Sequence, residues 1–181
     1  SFRGHSDTEV LLYGLSRWGT DFVRRLQGMF AFAFFDARRR TLLLARDSVG
    51  IKPLYFANVN GNFLFASEVR AILASNLVSR RIDPRGLAGV LAYGCVQQPQ
   101  TICAEVRSFP PGCYQVIDLA SDRPASAPTP YWRYPDHPES VDGETLAATI
   151  ESTLDRAVRD HLVADVPVGV FLSSGLDSTV I

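Results

Sequence analysis

The chain has 181 residues, nearly half of them apolar, and a formal net charge of −1. That suffices for a full hydrophobic core and excludes disorder over most of its length. The absence of a basic surplus excludes a general polyanion binder and predicts no nucleic-acid partner.

Cys95, Cys103 and Cys113 are odd in number and show no C-x-x-C spacing. With His5, His137 and His161 scattered, they predict neither a disulfide framework nor a metal cluster. No apolar stretch reaches spanning length and no leader pattern opens the chain, so no membrane partner and a reducing, cytoplasmic compartment are expected. The runs Arg38–Arg40 and Arg80–Arg81 read as solvated turns and helix flanks. Ser1 is not a methionine and Ile181 falls where a helix begins, so both ends are expected to be internal to a longer protein.

In chain order, residues 6–18 predict a helix. Ser6 and Glu9 have capping-box spacing, Val10, Leu11 and Leu15 follow helical spacing, and Gly19 stops it. A short helix is expected over about 21–26. Residues 29–35 then alternate as a strand, with Phe30, Phe32 and Phe34 on one face and small or aromatic residues on the other. Neither face is polar, which predicts cover on both sides. A polar turn at 36–40 leads to a partner strand at 41–45. Residues 53–57 and 63–66 flank Asn60-Gly61, a hairpin signal. Helices are expected over 67–74 and 84–93, and a strand over 113–119.

From 120 to 138 the texture changes. Pro124, Pro128, Pro130, Pro135 and Pro138 punctuate a stretch rich in Ala, Ser and Asp, which marks a linker or an irregular crossing, and a domain boundary. An amphipathic helix follows, with Leu146, Ile150, Leu154, Val158 and Leu162 every four residues. Val168–Leu172 predicts a short buried strand, and residues 173–178 turn it into the next helix.

That last turn carries the sharpest chemical signal. A small-residue loop between a strand and a helix lets backbone N–H groups converge on an anion, and Ser173, Ser174 and Ser178 add hydroxyls. No Walker pattern is present. The loop is similar to the S-G-G-x-D-S pyrophosphate loop of enzymes that cleave ATP to AMP and pyrophosphate, with Ser174 where that pattern has its first glycine. The plainer alternative is a turn at Gly175 with Asp177 or Ser178 capping a helix. Asp7 carries a similar ambiguity, because an acidic residue in the first turn of a helix is favoured by the dipole in any case.

The blocks Ser6–Val10, Leu26–Ala33, Ala45–Tyr55, Ala66–Glu68 and Asp165–Ser178, in that order, resemble asparagine synthetase of the glutamine-hydrolysing class. The resemblance implies an α+β chain. Residues 1–135 would be a type 2 glutamine amidotransferase domain lacking its N-terminal part, with the N-terminal-nucleophile four-layer α-β-β-α sandwich. Residues 136–181 would be the first helix-strand-helix of an α/β ATP-pyrophosphatase domain. It implies glutamine hydrolysis by a terminal cysteine upstream of Ser1, and ATP-dependent amidation of aspartate by the released ammonia through a β-aspartyl-AMP intermediate.

Carried onto this sequence, the resemblance places Asp7 on the glutamine α-ammonium. Phe171, Ser173, Ser174, Gly175, Asp177 and Ser178 fall on ATP and its pyrophosphate, with Asp177 on Mg²⁺. Glutamine, aspartate and ATP are the implied partners, and a homodimer is an open option. No catalytic residue is expected within the chain: Ser1 aligns with an interior position, and the cysteines lack the free α-amino group that serves as base. By itself the chain is expected to be inactive. Residues 46–55, though charged, read as a structural loop. Two further readings are a β-lactam synthetase-like enzyme, which adenylates a carboxylate but uses no glutamine, and an inert relative serving as an interaction domain.

Overall fold

The computed structural model describes every residue except 1, 5, 122–125, 137–141 and 181. Ser1, His5, Pro124, His137 and Pro138, all invoked above, lie outside the described residues. The chain divides into two compact units, Ser1–Tyr134 and Pro135–Ile181.

The first unit opens with α1 (Asp7–Trp18), capped by the Ser6 hydroxyl, which accepts from Thr8 N. Glu9 does not close an ordinary capping box. Its carboxylate reaches past the cap to accept from Arg3 N at 2.9 Å and Gly4 N at 2.7 Å. The helix ends at Gly19, whose φ of 57° suits a residue without Cβ. The helix expected over 21–26 is instead a 3₁₀ segment, Gly19–Arg25. Its tighter turn presents Phe22 and Val23 to Leu15 and to the sheet below.

All strand pairing is antiparallel. One sheet has the order β1 (Ala31–Asp36), β2 (Thr41–Arg46), β6 (Cys113–Asp118), β7 (Thr129–Pro130). The other has the order β4 (Asn62–Ala66), β3 (Tyr55–Val59), β5 (Arg107–Ser108). The Asn60-Gly61 turn joins β3 to β4 with both residues at positive φ, 51° and 76°. That is the primed geometry a two-residue hairpin needs. Helices α2 (Val69–Ala74) and α3 (Pro84–Tyr93) follow the second sheet's hairpin.

Three apolar clusters show where the core lies. Leu15, Phe22 and Val23 pack on Leu43 and Ala45, the helix-facing side of β2. Leu44 joins Leu54, Phe109, Cys113 and Ile117, with Phe56 and Phe63 from the other sheet against them. Ala57, Ile72, Val78, Cys103 and Val106 form the third, on the α2 side of the second sheet. Residues 43–45 therefore alternate between two cores, as a strand period of two dictates. Each fully buried aliphatic or aromatic side chain in these clusters contributes roughly 1.5–3 kcal/mol.

The double cover expected for 29–35 holds only in part. Phe30, Phe32 and Phe34 pack into the first cluster and Ala31 against the second. Ala33 is exposed and Phe35 stands 57 % exposed. β1 is the edge strand of its sheet among the described residues, so Phe35 at its end has sheet neighbours on one side alone. The proline-rich stretch is not all linker either. Thr129–Pro130 pairs with β6, and Gly112 O accepts from Tyr131 N and Trp132 N.

The second unit holds α4 (Gly143–His161) and the single-turn α5 (Leu176–Val180). The buried strand expected over 168–172 does not form. Those residues are assigned to no strand and are exposed, Phe171 fully. A strand needs a ladder partner for its N–H and C=O groups, and the described residues of this unit include no second strand. No helix of the described residues is long and apolar enough to cross a membrane.

Candidate active site

A cleft of about 500 Å³ opens between α1 and β1. Leu11, Leu15, Phe30, Phe32 and Phe34 make its walls apolar, while Asp7, Thr8, Lys52 and Ser67 bring polar groups to it. Asp7 is the first residue of α1 and is exposed. Among the described residues its Oδ1 has two long contacts, 3.4 Å each, from the Ser6 and Thr8 hydroxyls. Ser6 does the capping, so the Asp7 carboxylate is not spent on the helix terminus. An exposed carboxylate beside apolar walls is suited to a ligand that carries a cationic group and an aliphatic stem.

Sequence reasoning placed Lys52 in a structural loop and did not single out Ser67. The turn at 47–53 and the end of β4 bring both to the cleft rim, which local pattern alone does not reveal.

The turn is fixed from below. The Arg46 side chain, 4 % exposed, donates from Nε to Lys52 O at 2.7 Å. One terminal nitrogen reaches Gly50 O at 2.7 Å, and the other reaches Ser108 Oγ at 3.0 Å and Phe109 O at 2.6 Å. Burial lowers the guanidinium pKa, with nearby Asp47 and Tyr55 acting in the opposite direction. Asp47, 1 % exposed, accepts from Ile51 N at 2.8 Å and Lys52 N at 2.9 Å. Gly50 has φ of 72°, and a Cβ there would stand 3.0 Å from Arg46 Cζ. Behind the turn, Tyr131 donates its hydroxyl to Arg46 O at 2.9 Å, and burial raises its pKa.

In the second unit, Ser173, Gly175 and Ser178 lie together in one exposed turn. Ser178 Oγ is 2.7 Å from Ser173 Oγ and donates within reach of Ser173 O and Gly175 O, at 3.0 and 3.1 Å. Gly175 N donates to Ser173 Oγ at 3.3 Å. The hydroxyls expected to converge on phosphate here close the loop on itself. Ser174 and Asp177 are exposed, and Phe171 projects from the extended segment before the turn. No group of three or more His, Cys, Asp or Glu placed to hold a metal occurs among the described residues.

Comparison with known proteins follows the same division. Residues 1–132 match the glutamine amidotransferase domain family, and residues 149–181 match the asparagine synthase family. The chain is similar to asparagine synthetase [glutamine-hydrolyzing] 3 of Bacillus subtilis, 38 % identical over 99 % of this chain and 30 % of that protein. It is likewise 38 % identical to a putative asparagine synthetase [glutamine-hydrolyzing] of Mycobacterium bovis, over 99 % of this chain and 28 % of that protein. Amidase chyE of Penicillium rubens is 33 % identical over 98 % of this chain and 26 % of its own length. The chain thus spans under a third of each of these relatives. Its mixed α/β fold with antiparallel sheets, and a family match covering most of its length, place it in the glutamine amidotransferase domain family.

Proposed function

We propose that the protein carrying this chain is a glutamine-dependent asparagine synthetase. Glutamine hydrolysis in one domain supplies ammonia, which amidates an aspartate carboxylate activated by ATP in another. The observation that carries this reading is the 38 % identity running through 99 % of the chain, across both the Asp7 segment and the 173–178 loop. The activation is chemically required: a carboxylate is a poor electrophile until its oxygen leaves with a good leaving group, and adenylation supplies one.

We assign residues 1–135 to the amidotransferase and 136–181 to the start of the synthetase domain. Three stacked apolar clusters are what a four-layer α-β-β-α sandwich of the N-terminal-nucleophile type requires, and they support that finer fold. In the cleft, Asp7 would hold the α-ammonium of glutamine, with the apolar wall of α1 and β1 along the substrate's methylenes. In the loop, the Ser173 and Ser178 hydroxyls and the N–H groups of Ser174 and Gly175 are of the kind that hold pyrophosphate, once the loop's internal bonds exchange for phosphate oxygens. Phe171 would meet ATP through its backbone. Asp177 alone would repel phosphate, so its carboxylate would help hold a Mg²⁺ that offsets the charge of the phosphates.

The test uses the full-length protein. Asp7→Asn is expected to raise the glutamine KM about ten- to a hundredfold, the loss of one charged hydrogen-bonding partner. Ammonia-dependent synthesis and the melting midpoint should stay unchanged, because Ser6 provides the cap. If both activities and the midpoint fell together, Asp7 would be a structural residue. If the intact protein consumed no glutamine at all, the ring-closing, glutamine-independent reading would replace this one.

A further inference from the structure

The segment that leads into α1 is fastened to the outer side of that helix. Two neighbouring backbone groups, Arg3 N and Gly4 N, donate to the Glu9 carboxylate at 2.9 and 2.7 Å. A Cβ on Gly4 would stand 3.2 Å from Glu9 Oε2, so the backbone lies close on the carboxylate. Ahead of it, the Phe2 ring meets Tyr13 edge to face, with centroids 5.8 Å apart. Glu9 and Tyr13 are four positions apart and form one strip along α1.

The cleft takes the other side of the same helix. Asp7, Leu11 and Leu15 line it, again at a spacing of four. The shift of two positions from that strip to Glu9 and Tyr13 is a turn of about 200° around the axis. Cleft and fastened segment therefore lie back to back. Helix capping does not call for this arrangement, because the Ser6 hydroxyl accepts from Thr8 N and Ser6 O accepts from Glu9 N. A Glu at the third helical position ordinarily returns to the N–H of the cap residue. Here it holds residues 3 and 4 instead.

What the fastening holds back is a cation. Arg3 lies four residues before Asp7, on the fastened segment, and is exposed. Asp7 is an exposed carboxylate whose contacts from Ser6 and Thr8 are long. A guanidinium can bond both oxygens of a carboxylate at once. Released, the segment would bring Arg3 to Asp7 in place of a ligand's ammonium.

We propose that Glu9 is a positioning residue, which draws Arg3 and Gly4 to the back of α1 and so keeps Asp7 open to the substrate. This rests on the reading of Asp7 as the carboxylate that holds the glutamine ammonium. Glu9 itself touches no substrate. It sets the fraction of molecules in which Asp7 is free, and apparent affinity falls in proportion to that fraction.

Glutamine hydrolysis by the full-length protein is the test. Glu9→Ala is expected to raise the glutamine KM about three- to tenfold, as Asp7 becomes free in roughly a third to a tenth of the molecules. Turnover at saturating glutamine and ammonia-dependent synthesis should not change. Arg3→Ala alone should leave KM unmoved. Added to Glu9→Ala, it should return KM to within about twofold of the wild type, a coupling that loss of helix stability would not produce. Raised salt should shrink the effect of Glu9→Ala, because contacts between exposed charges are screened. Glu9→Gln keeps one acceptor oxygen and should raise KM by less, with the same reversal. An unchanged KM in Glu9→Ala would overturn the proposal. So would a rise that Arg3→Ala does not reverse, since Glu9 would then serve only the helix start. Asp7→Asn, measured alongside, separates the two readings. If it leaves KM unmoved, the assignment of Asp7 fails and this proposal with it. If it raises KM while Glu9→Ala does not, the proposal alone fails.

Discussion

Loops 46–53 and 171–178 both follow an apolar segment, carry an aspartate and a glycine, and mix donors with acceptors, yet they end in opposite conditions. In the first, the charged side chains are the anchors. Arg46 and Asp47 are buried, and together they satisfy Gly50 O, Ile51 N, Lys52 N, Lys52 O and Phe109 O. In the second, the hydrogen bonds among the described residues stay within the turn and the helix it starts, and Asp177 is exposed. A polar loop whose groups are consumed by the surrounding fold is scaffold. A polar loop closed only on itself can exchange those bonds for a ligand's at small cost, because each exposed hydrogen bond is worth little net. By that criterion the more highly charged loop is the structural one.

The largest expected effect breaks the comparison at its buried end. Arg46→Met leaves several buried carbonyls without donors and should lower stability by about 3–5 kcal/mol, read from the urea midpoint at constant m. Arg46→Lys should not rescue it, since one ammonium cannot replace a planar fork that reaches Gly50 O, Lys52 O, Ser108 Oγ and Phe109 O at once. A loss under about 1 kcal/mol would mean the loop holds its shape without Arg46 and would remove the distinction drawn here.

At the exposed end the effect should fall on chemistry alone. Asp177→Ala is expected to leave the melting midpoint of the full-length protein unchanged. It should lower pyrophosphate release with aspartate by roughly a hundredfold or more, with glutamine or ammonia as nitrogen source, while glutamine hydrolysis survives. Full synthetic activity in this variant would make the loop a turn and nothing more.

How much of this was legible in the sequence depends on whether the cause was local. The Asn60-Gly61 hairpin, the Ser6 and Gly19 limits of α1, and the Pro84 start of α3 each follow from the residues at that point, and the structure has them where the pattern put them. The 107–108 and 129–130 strands are two residues long and exist because β3 and β6 offer them edges, so nothing in their own composition announces them. Apolar spacing identified 168–172 as a segment wanting cover but could not supply a strand beside it. The same limit applies to α3, whose periodicity is plain while the choice of which face turns inward rests on two glycines meeting a distant loop. In the cleft, Asp7 came to notice through the family resemblance, since its own motif is also that of an ordinary helix start. Lys52 and Ser67 did not stand out, because Lys52 reaches the cleft through the turn that Arg46 holds and Ser67 through the end of β4.

The smallest expected effect sharpens the comparison through glycine. Gly50 sits at φ of 72° with Arg46 and Pro111 atoms 3.0–3.1 Å from where a Cβ would be, so the buried loop has no room for a side chain there. Ser174 occupies the position that is glycine in the pyrophosphate pattern. The non-glycine residues at positive φ are Arg40, Asn60 and Asn76 among the described residues, and Ser174 is not one of them. Its Cβ is therefore carried without backbone strain, its hydroxyl makes no hydrogen bond among the described residues, and it is exposed. Removing the side chain relieves nothing in the fold and costs at most about 1 kcal/mol through the freer unfolded chain. What it can change is the approach of phosphate to the loop backbone. Ser174→Gly should leave pyrophosphate release with aspartate and ammonia unchanged or raise it up to about twofold, less than 0.5 kcal/mol in the barrier. A tenfold loss would show that the Ser174 hydroxyl itself binds the phosphates, and that this loop grips its ligand through a side chain where the pattern uses bare backbone.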